Sequence, residues 1–319
     1  MSKRDPDRPD FEPTPVHTPV LASAVVEHLA GPEPERERGW IVDLTLGAGG
    51  HAARLLEAMP SARLLGTDQD PEVLEHARRR LLPFGQRARV RRARMSSLED
   101  VLHAEGIDRV AAILIDLGVS SLQLDSAARG FSFQEDGPLD MRMDPDRERT
   151  AADVVNRWDE SDLADLFYYE GGETRARKIA RAIVASRRRA PFLRTLALAD
   201  LIENTVGQRG RTHPATKVFQ ALRRAVNQEA EELDAALELA DRWLVDRGRL
   251  GVISFHSGED GAVKRFIARG AEQGRWRPLT RRPLRADRDE VRSNPRARSA
   301  SLRVAERLRL ERDVGRTRP

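Results

Sequence analysis

The sequence contains no cysteine, and aromatic residues make up only 5% of its 319 residues. The absence of cysteine excludes disulfide bonds, thiolate nucleophiles and cysteine-ligated zinc or iron–sulfur sites. No apolar run approaches the roughly 20 residues of a membrane span, and the first residues lack a hydrophobic signal core. The seven histidines show no metal-ligand spacing. We therefore expect a soluble, cytoplasmic protein without a metal centre.

Arginine is abundant instead. Lysine and arginine number 55 against 51 acidic residues, which gives a formal net charge of +4, and only four of the 55 are lysine. Residues 86–94 carry five arginines and residues 175–194 carry eight basic side chains, both without an acid, and residues 281–319 carry thirteen arginines against six acids. Clustered guanidinium groups suit phosphate, although an arginine-biased composition on solvated faces explains any single cluster equally well.

Apolar runs alternate with helix-like stretches through much of the chain. Strands are predicted at residues 40–44, 63–67, 88–93, 110–115 and 250–255, with 301–308 as an edge strand and a long helix at 218–245. The run at 110–115 is continuously apolar, as in a strand buried on both faces of a parallel sheet. Strands that alternate with helices imply βαβ units and an α/β fold.

This alternation stops between residues 125 and 214. An acidic loop at 130–149 precedes three predicted helices at 161–170, 174–189 and 195–206, the last with Thr195 as its N-cap. We therefore expect an inserted all-helical domain at 125–214 within a discontinuous α/β domain at 17–124 and 215–319. The proline- and charge-rich residues 1–16 are expected to form a disordered tail.

A glycine-rich turn follows the first strand in the segment DLTLGAGGH, residues 43–51. Gly47 and Gly49 allow the backbone to approach a ligand closely, and the next helix presents unpaired N–H groups. Asp68 ends the second strand, where a carboxylate can accept hydrogen bonds from both ribose hydroxyls. These residues predict a nucleotide-like ligand, and they fit NAD as well as S-adenosylmethionine.

Asp116 ends the strand at 110–115 and is followed by Ser120 and Ser121. Open α/β sheets place their active-site crevice at the carboxyl ends of the strands. A carboxylate at that position is therefore expected to line the site.

Taken together, these stretches resemble one family, the S-adenosylmethionine-dependent methyltransferases that methylate the exocyclic N4 of a cytidine in small-subunit (16S) ribosomal RNA and so tune the decoding region. The resemblance covers about nine-tenths of the chain, and its most specific segment is RGFSFQEDGPLDMRMD at residues 129–144. The other segments are HTPVL, DLTLGAGGH, GTDQDP, ILIDLGVSS, FQALRRAVNQE, ISFHSGED and NPRARSASLRVAE. The resemblance implies a Rossmann-like methyltransferase domain interrupted by a helical domain.

The resemblance also implies which residues contact S-adenosylmethionine: Gly47, Gly49, Gly50, His51, Asp68, Met95, Asp116 and Gln123. Met95 stands where the family usually has an aromatic residue against the adenine. The chain departs from the family pattern at Leu122, Gly258, Gly261 and Ser301.

For the reaction that this family implies, the N4 amine attacks the methyl group of a sulfonium and loses a proton, so an acceptor near N4–H is needed. We expect Asp116 to contact the amine, with Ser120 and Ser121 as helpers and Asp140 as a second candidate. Orientation and electrostatics should supply most of the rate. The target base must leave its stack. The acidic loop would shape the base pocket while arginines hold the RNA backbone.

The partner implied is small-subunit ribosomal RNA or the small ribosomal subunit, and a homodimer stays open. Two other functions also stay open on the residues alone. The glycine turn with Asp68 fits a nicotinamide-dependent oxidoreductase, which would bind NADH and transfer no methyl group. The arginine clusters fit a non-catalytic RNA-binding protein, whose salt-sensitive RNA binding would be indifferent to S-adenosylmethionine.

Overall fold

The computed structural model describes residues 19–30, 39–207 and 213–308. The residues predicted as a disordered tail, 1–16, lie outside these ranges. Eight strands are described: β1 (Trp40–Asp43), β2 (Arg63–Asp68), β3 (Ala88–Arg92), β4 (Val110–Asp116), β5 (Leu244–Ser254), β6 (Trp276–Pro278), β7 (Leu284–Arg285) and β8 (Ser301–Arg307).

Thirteen α-helices are described: α1 (Ala22–Leu29), α2 (Gly50–Ala58), α3 (Pro71–Leu81), α4 (Leu98–Ala104), α5 (Ser121–Asp125), α6 (Ala151–Arg157), α7 (Glu160–Asp165), α8 (Ala176–Arg187), α9 (Thr195–Val206), α10 (Thr216–Asn227), α11 (Glu229–Trp243), α12 (Ser257–Glu272) and α13 (Arg288–Ser293). Over the described ranges, none of the helices is long and apolar enough to cross a membrane.

All eight strands form one sheet in the order β3-β2-β1-β4-β5-β8-β6, and β7 pairs with β8. The first five strands are parallel, whereas β8 runs antiparallel to β5. Helices cover both faces of the sheet: α1, α2 and α3 share one apolar cluster, and α4, α11 and α12 share the other. The predicted Rossmann-like α/β fold is confirmed.

The prediction that residues 301–308 form an edge strand is wrong. β8 pairs with β5 on one side and with β6 and β7 on the other, and residues 301–306 are buried. The missed neighbours are only three and two residues long, too short for an apolar pattern to show in the sequence. The basic C-terminal segment therefore contributes an interior strand to the sheet.

The helices between β4 and β5 have a separate apolar core. Residues of α6 to α10 and of the loop at 131–143 form this third cluster. α9 begins and ends where the sequence predicts, but Arg194, not Thr195, is its N-cap residue. The Thr195 hydroxyl instead accepts a hydrogen bond from the backbone N–H of Gly137 at 3.0 Å, which ties the acidic loop to α9.

The single long helix predicted at 218–245 is two helices. Gln228 has a left-handed φ of 54°, which ends α10 and starts α11. Val218, Phe219 and Leu222 of α10 pack in the third cluster, whereas Leu233 of α11 packs against the sheet. We propose that the inserted helical domain ends at this break and not at residue 214.

Candidate active site

Three carboxylates end neighbouring parallel strands. Asp43, Asp68 and Asp116 are the last residues of β1, β2 and β4, and β1 lies between the other two. The carboxyl ends of parallel strands meet at one edge of the sheet, where open α/β folds bind ligands. The structure therefore brings together the two carboxylates that the sequence singled out and adds a third.

The glycine turn between β1 and α2 is shaped for close backbone approach. Gly47 and Gly49 have φ values of 52° and 77°, a region that favours glycine. A Cβ atom on Gly49 would lie 3.4 Å from the Cα of Ala77, so this turn packs directly on α3. Gly50 begins α2, and its neighbours Pro19 and Arg80 leave little room for a side chain.

Asp68 is bound to this turn. Its carboxylate accepts a hydrogen bond from the backbone N–H of Gly47 at 2.9 Å and another from that of Asp70 at 3.0 Å. Burial raises the pKa of Asp68 to about 6, against the opposing effect of these two bonds. Asp70 is the N-cap of α3, and Pro71 is the first residue of the helix.

His51 lies between two of the carboxylates. Its Nε2 atom is 3.4 Å from Oδ2 of Asp116. Burial raises the pKa of the neighbouring Asp43 to about 7, against the opposing effects of His51 and of the Thr45 N–H. Both ring nitrogens of His51 and Oδ1 of Asp116 are buried without a hydrogen-bond partner among the described residues. Buried polar atoms of this kind need a partner, and a ligand can supply it.

Asp43 is the functional candidate that sequence reasoning missed. It is 1% exposed and accepts one hydrogen bond, from the backbone N–H of Thr45 at 3.2 Å. The Thr45 hydroxyl accepts a hydrogen bond from the backbone N–H of Asp116 at 2.6 Å, which fixes the two strand ends together. The signal that indicated Asp68 and Asp116, a carboxylate at a strand end, was equally present at Asp43.

The loop after Asp116 carries the predicted helper residues. Ser120 caps α5: its hydroxyl accepts from the N–H of Gln123 at 3.3 Å, and the Gln123 side chain accepts from the N–H of Ser120 at 2.9 Å. Gln123 also donates to Asp70 at 2.7 Å, and the Ser121 hydroxyl accepts from Arg296. These contacts hold the loop in place. The predicted catalytic roles of Ser120 and Ser121, and the cofactor role of Gln123, stay predictions.

Asp140 occupies a different environment. Both its oxygens accept hydrogen bonds from Arg142 at 2.8 Å, and it lines a cavity of about 160 Å³ with Asp70 and Arg129. Burial opposes ionisation, but the bonds and charge of Arg142 outweigh it and hold the pKa of Asp140 below its usual range. Such a carboxylate is a weak base, and the predicted catalytic role of Asp140 stays a prediction.

Met95 lies beside β3, the neighbour of β2. It is half-buried, begins a short 3₁₀ turn, and packs against the apolar cluster that includes Leu98. The backbone N–H of Ala93 donates to the carbonyl of Asp68 at 3.0 Å, so this turn stays close to the end of β2. The position agrees with the predicted adenine contact, which stays a prediction.

Comparison with known proteins gives the family. The MraW methylase family matches residues 14–308. The chain belongs to the MraW methylase family. Two similar curated relatives are both named ribosomal RNA small subunit methyltransferase H. The one from Bradyrhizobium diazoefficiens is 47% identical over 306 residues, 91% of each chain. The one from Synechococcus elongatus is 46% identical over 295 residues, 92% of this chain and 95% of the relative.

As a member of the MraW methylase family, this protein is a methyltransferase whose methyl donor is S-adenosylmethionine. The residues present fit that donor. The sulfonium and ammonium groups are cationic, and three carboxylates end strands at the site. The left-handed glycines allow backbone approach, and the ring nitrogens of His51 make no hydrogen bond within the described residues, although Nε2 lies 3.4 Å from Oδ2 of Asp116. Gly47, Gly49, His51, Asp68 and Asp116 are the residues that would hold it.

Proposed function

We propose that this methyltransferase modifies the exocyclic N4 of a cytidine in small-subunit ribosomal RNA and so tunes the decoding region. The observation that carries the proposal is Asp116, a strand-terminal carboxylate with one buried, unpartnered oxygen beside His51. The specific loop at 129–144 and the names of the relatives support the choice of RNA and subunit.

In the proposed reaction, the N4–CH₃ bond forms as the S–CH₃ bond breaks, and the N4 proton moves to Asp116. S-adenosylmethionine supplies an electrophilic methyl group on a good leaving group, so orientation and charge decide the rate. Asp116 is suited to accept the proton because its side chain is 25% exposed, whereas Asp43 is fully enclosed. His51 would position the Asp116 carboxylate by contact at Oδ2.

Two arginines from outside the acidic loop, Arg92 of β3 and Arg194 before α9, pair with its acids, which suits a fixed base pocket better than a phosphate grip. Asp144 accepts from Arg92 at 2.5 Å, and Asp136 pairs with Arg194. A base that enters this pocket has to leave its stack first, and exposed arginines elsewhere would hold the RNA backbone.

Small-subunit ribosomal RNA, free or within the small subunit, is the proposed macromolecular partner, and the cytoplasm, where bacterial ribosomal RNA lies, is the proposed location. The oligomeric state is not part of this proposal: the protein is either a monomer or a homodimer. Sedimentation velocity at assay concentrations distinguishes the two.

The test is transfer of an isotopically labelled methyl group from S-adenosylmethionine to small subunits that lack native methylation, followed by nucleoside mass spectrometry. Labelled N4-methylcytidine is the expected product. A label on another atom contradicts the proposed acceptor. RNA binding without any label would favour the non-catalytic RNA-binding function.

A further inference from the structure

The only two tyrosines of the chain are consecutive and exposed. Tyr168 and Tyr169 are 54% and 74% exposed. Their ring centroids are 5.1 Å apart and their planes meet at 86°, an edge-to-face contact. Two large rings in contact on a surface form an apolar patch that water solvates poorly, and such patches mark interaction sites.

The backbone beneath these rings is fixed. Both tyrosines lie in a π-helical turn, Leu166–Glu170, and the preceding side chains Leu166 and Phe167 are buried in the core of the helical domain. A Cβ atom on Gly171 would lie 2.6 Å from the carbonyl oxygen of Lys217, so the end of the turn packs directly on α10. Short π-helical turns often occur at functional sites.

Contacts through Arg224 place the turn beside the active-site edge of the sheet. Arg224 donates to the carbonyl of Glu170 at 2.7 Å and pairs with its carboxylate at 2.7 Å. A Cβ atom on Gly258, just beyond the end of β5, would lie 3.8 Å from Nη2 of the same Arg224. β5 pairs with β4 up to Asp116. The turn that carries the tyrosines is therefore linked through the Arg224 side chain to the segment that follows β5.

Exposed cations lie next to the turn on two helices, and exposed acids lie on a third. The exposed Lys217 ammonium donates to the carbonyl of Gly172 at 2.8 Å, and the first turn of α8 carries the exposed Arg177 and Lys178. Glu170 pairs with Arg224, whereas Asp162 and Asp165 on α7 are exposed acids. Cations on α8 and α10 can thus contact phosphates while the rings contact a base.

We propose that Tyr168 and Tyr169 form a stacking platform for an unpaired RNA base next to the target cytidine. The inference rests on the proposed function, because flipping the target leaves its neighbour without a stacking partner. Aromatic side chains recover that stacking with little preference for base identity. The platform would lower the cost of opening the RNA at the site.

The test compares methyl transfer to small subunits by the wild-type protein and by Tyr168→Ala, Tyr169→Ala and Tyr169→Phe. Leu82→Ala is the matched control. Leu82 is 78% exposed and follows the last residue of α3, whereas the first residue of that helix, Pro71, lies at the active-site edge of the sheet. The control therefore removes an exposed apolar side chain at the opposite end of that helix. We expect each alanine variant to raise KM roughly 5- to 150-fold with kcat little changed. The phenylalanine and Leu82 variants should behave as wild type.

Thermal unfolding confirms that each variant is folded, and anisotropy of a labelled, naked RNA fragment measures binding separately. Unchanged KM and RNA affinity in both alanine variants would overturn the platform, and so would an equal loss in Tyr169→Phe. A loss on subunits with wild-type binding to naked RNA would instead assign the patch to a ribosomal protein. Should the wild type transfer no methyl group, the proposed function fails while the anisotropy series still tests the platform.

Discussion

Asp43, Asp68 and Asp116 show how surroundings give three identical side chains different chemistry. Asp43 is enclosed, and its pKa is raised to about 7. Asp68 is partly exposed, and the backbone N–H groups of Gly47 and Asp70 each bond one of its oxygens. Asp116 alone combines partial exposure with an unpartnered oxygen. We therefore propose Asp116 as the reacting group and Asp68 as the ribose contact.

Replacement of Asp68 by alanine should weaken S-adenosylmethionine binding by roughly 10- to 100-fold, because hydrogen bonds to a charged acceptor contribute about 1.5 to 3 kcal/mol. Isothermal titration calorimetry measures this change. Asp100→Ala, an exposed acid on α4, is the control and should bind normally. Wild-type affinity in a folded Asp68→Ala variant would refute the ribose assignment.

Replacement of Asp43 by asparagine should change how stability depends on pH. The pKa of Asp43 rises from 3.8 in the unfolded chain to about 7 in the folded protein, so the folded state binds this proton more tightly. As pH rises from about 4 to about 7, the folded state must hold a buried carboxyl that increasingly loses its proton. The free energy of unfolding of the wild type therefore falls over this range. In urea unfolding, the free energy of unfolding of Asp43→Asn should rise relative to that of the wild type by on the order of a few kcal/mol between pH 4 and pH 7. A pH-independent difference between the two proteins would contradict the buried, protonated carboxyl.

At the scale of elements, strands with long apolar runs were predictable and short or interrupted elements were not. β4 shows its burial on both faces directly in its sequence, whereas β6 and β7 are too short to show a pattern. The break at Gln228 carries no glycine or proline, and apolar positions continue on both sides of it. Asn227 explains the break: it bonds the backbone of Met141 and Met143 at 2.8 Å, contacts that no local pattern encodes.

The loop between α5 and α6 depends on close backbone packing at Gly130. Gly130 and Gly106 have similar φ values of 70° and 65°, but a Cβ atom on Gly130 would lie 2.0 Å from the carbonyl oxygen of Pro138, whereas Gly106 faces open space. We expect Gly106→Ala to cost about 1 to 2 kcal/mol, the penalty for left-handed backbone. Gly130→Ala should cost several kcal/mol more in urea unfolding. Equal costs would show that the loop relaxes freely.

For the whole molecule, the distribution of charge matters more than its total. The segment 281–319 has seven more arginines than acids, yet residues 301–307 form an interior strand. Deletion of that segment would therefore disrupt the sheet, and a loss of RNA affinity in the deletion variant could not be attributed to lost RNA contacts. Part of the basic charge is also internal, since Arg303 pairs with Asp260 at 2.7 and 2.9 Å. Sequence clusters alone could not separate such structural arginines from exposed ones.

Charge reversal at the exposed Arg281 and Arg282 is the better test of the segment. The double glutamate variant should bind ribosomal RNA more weakly at low salt, and the slope of log affinity against log salt should fall by about 1 to 2, because phosphate contacts release counterions. Arg54→Glu with Arg78→Glu, on exposed faces of α2 and α3, is the control with the same charge change. Identical slopes in the two double variants would show that the segment affects RNA binding only through the net charge of the protein.

We propose that the carboxylate edge of this sheet catalyses methyl transfer to a cytidine N4. Single-turnover transfer to unmethylated small subunits, at saturating S-adenosylmethionine, tests it with wild type and Asp116→Asn side by side. We expect N4-methylcytidine from the wild type and a rate at least 100-fold lower from the variant, since loss of a positioned proton acceptor costs about 10²- to 10⁴-fold. A variant rate within a few-fold of the wild-type rate would show that Asp116 is not the proton acceptor.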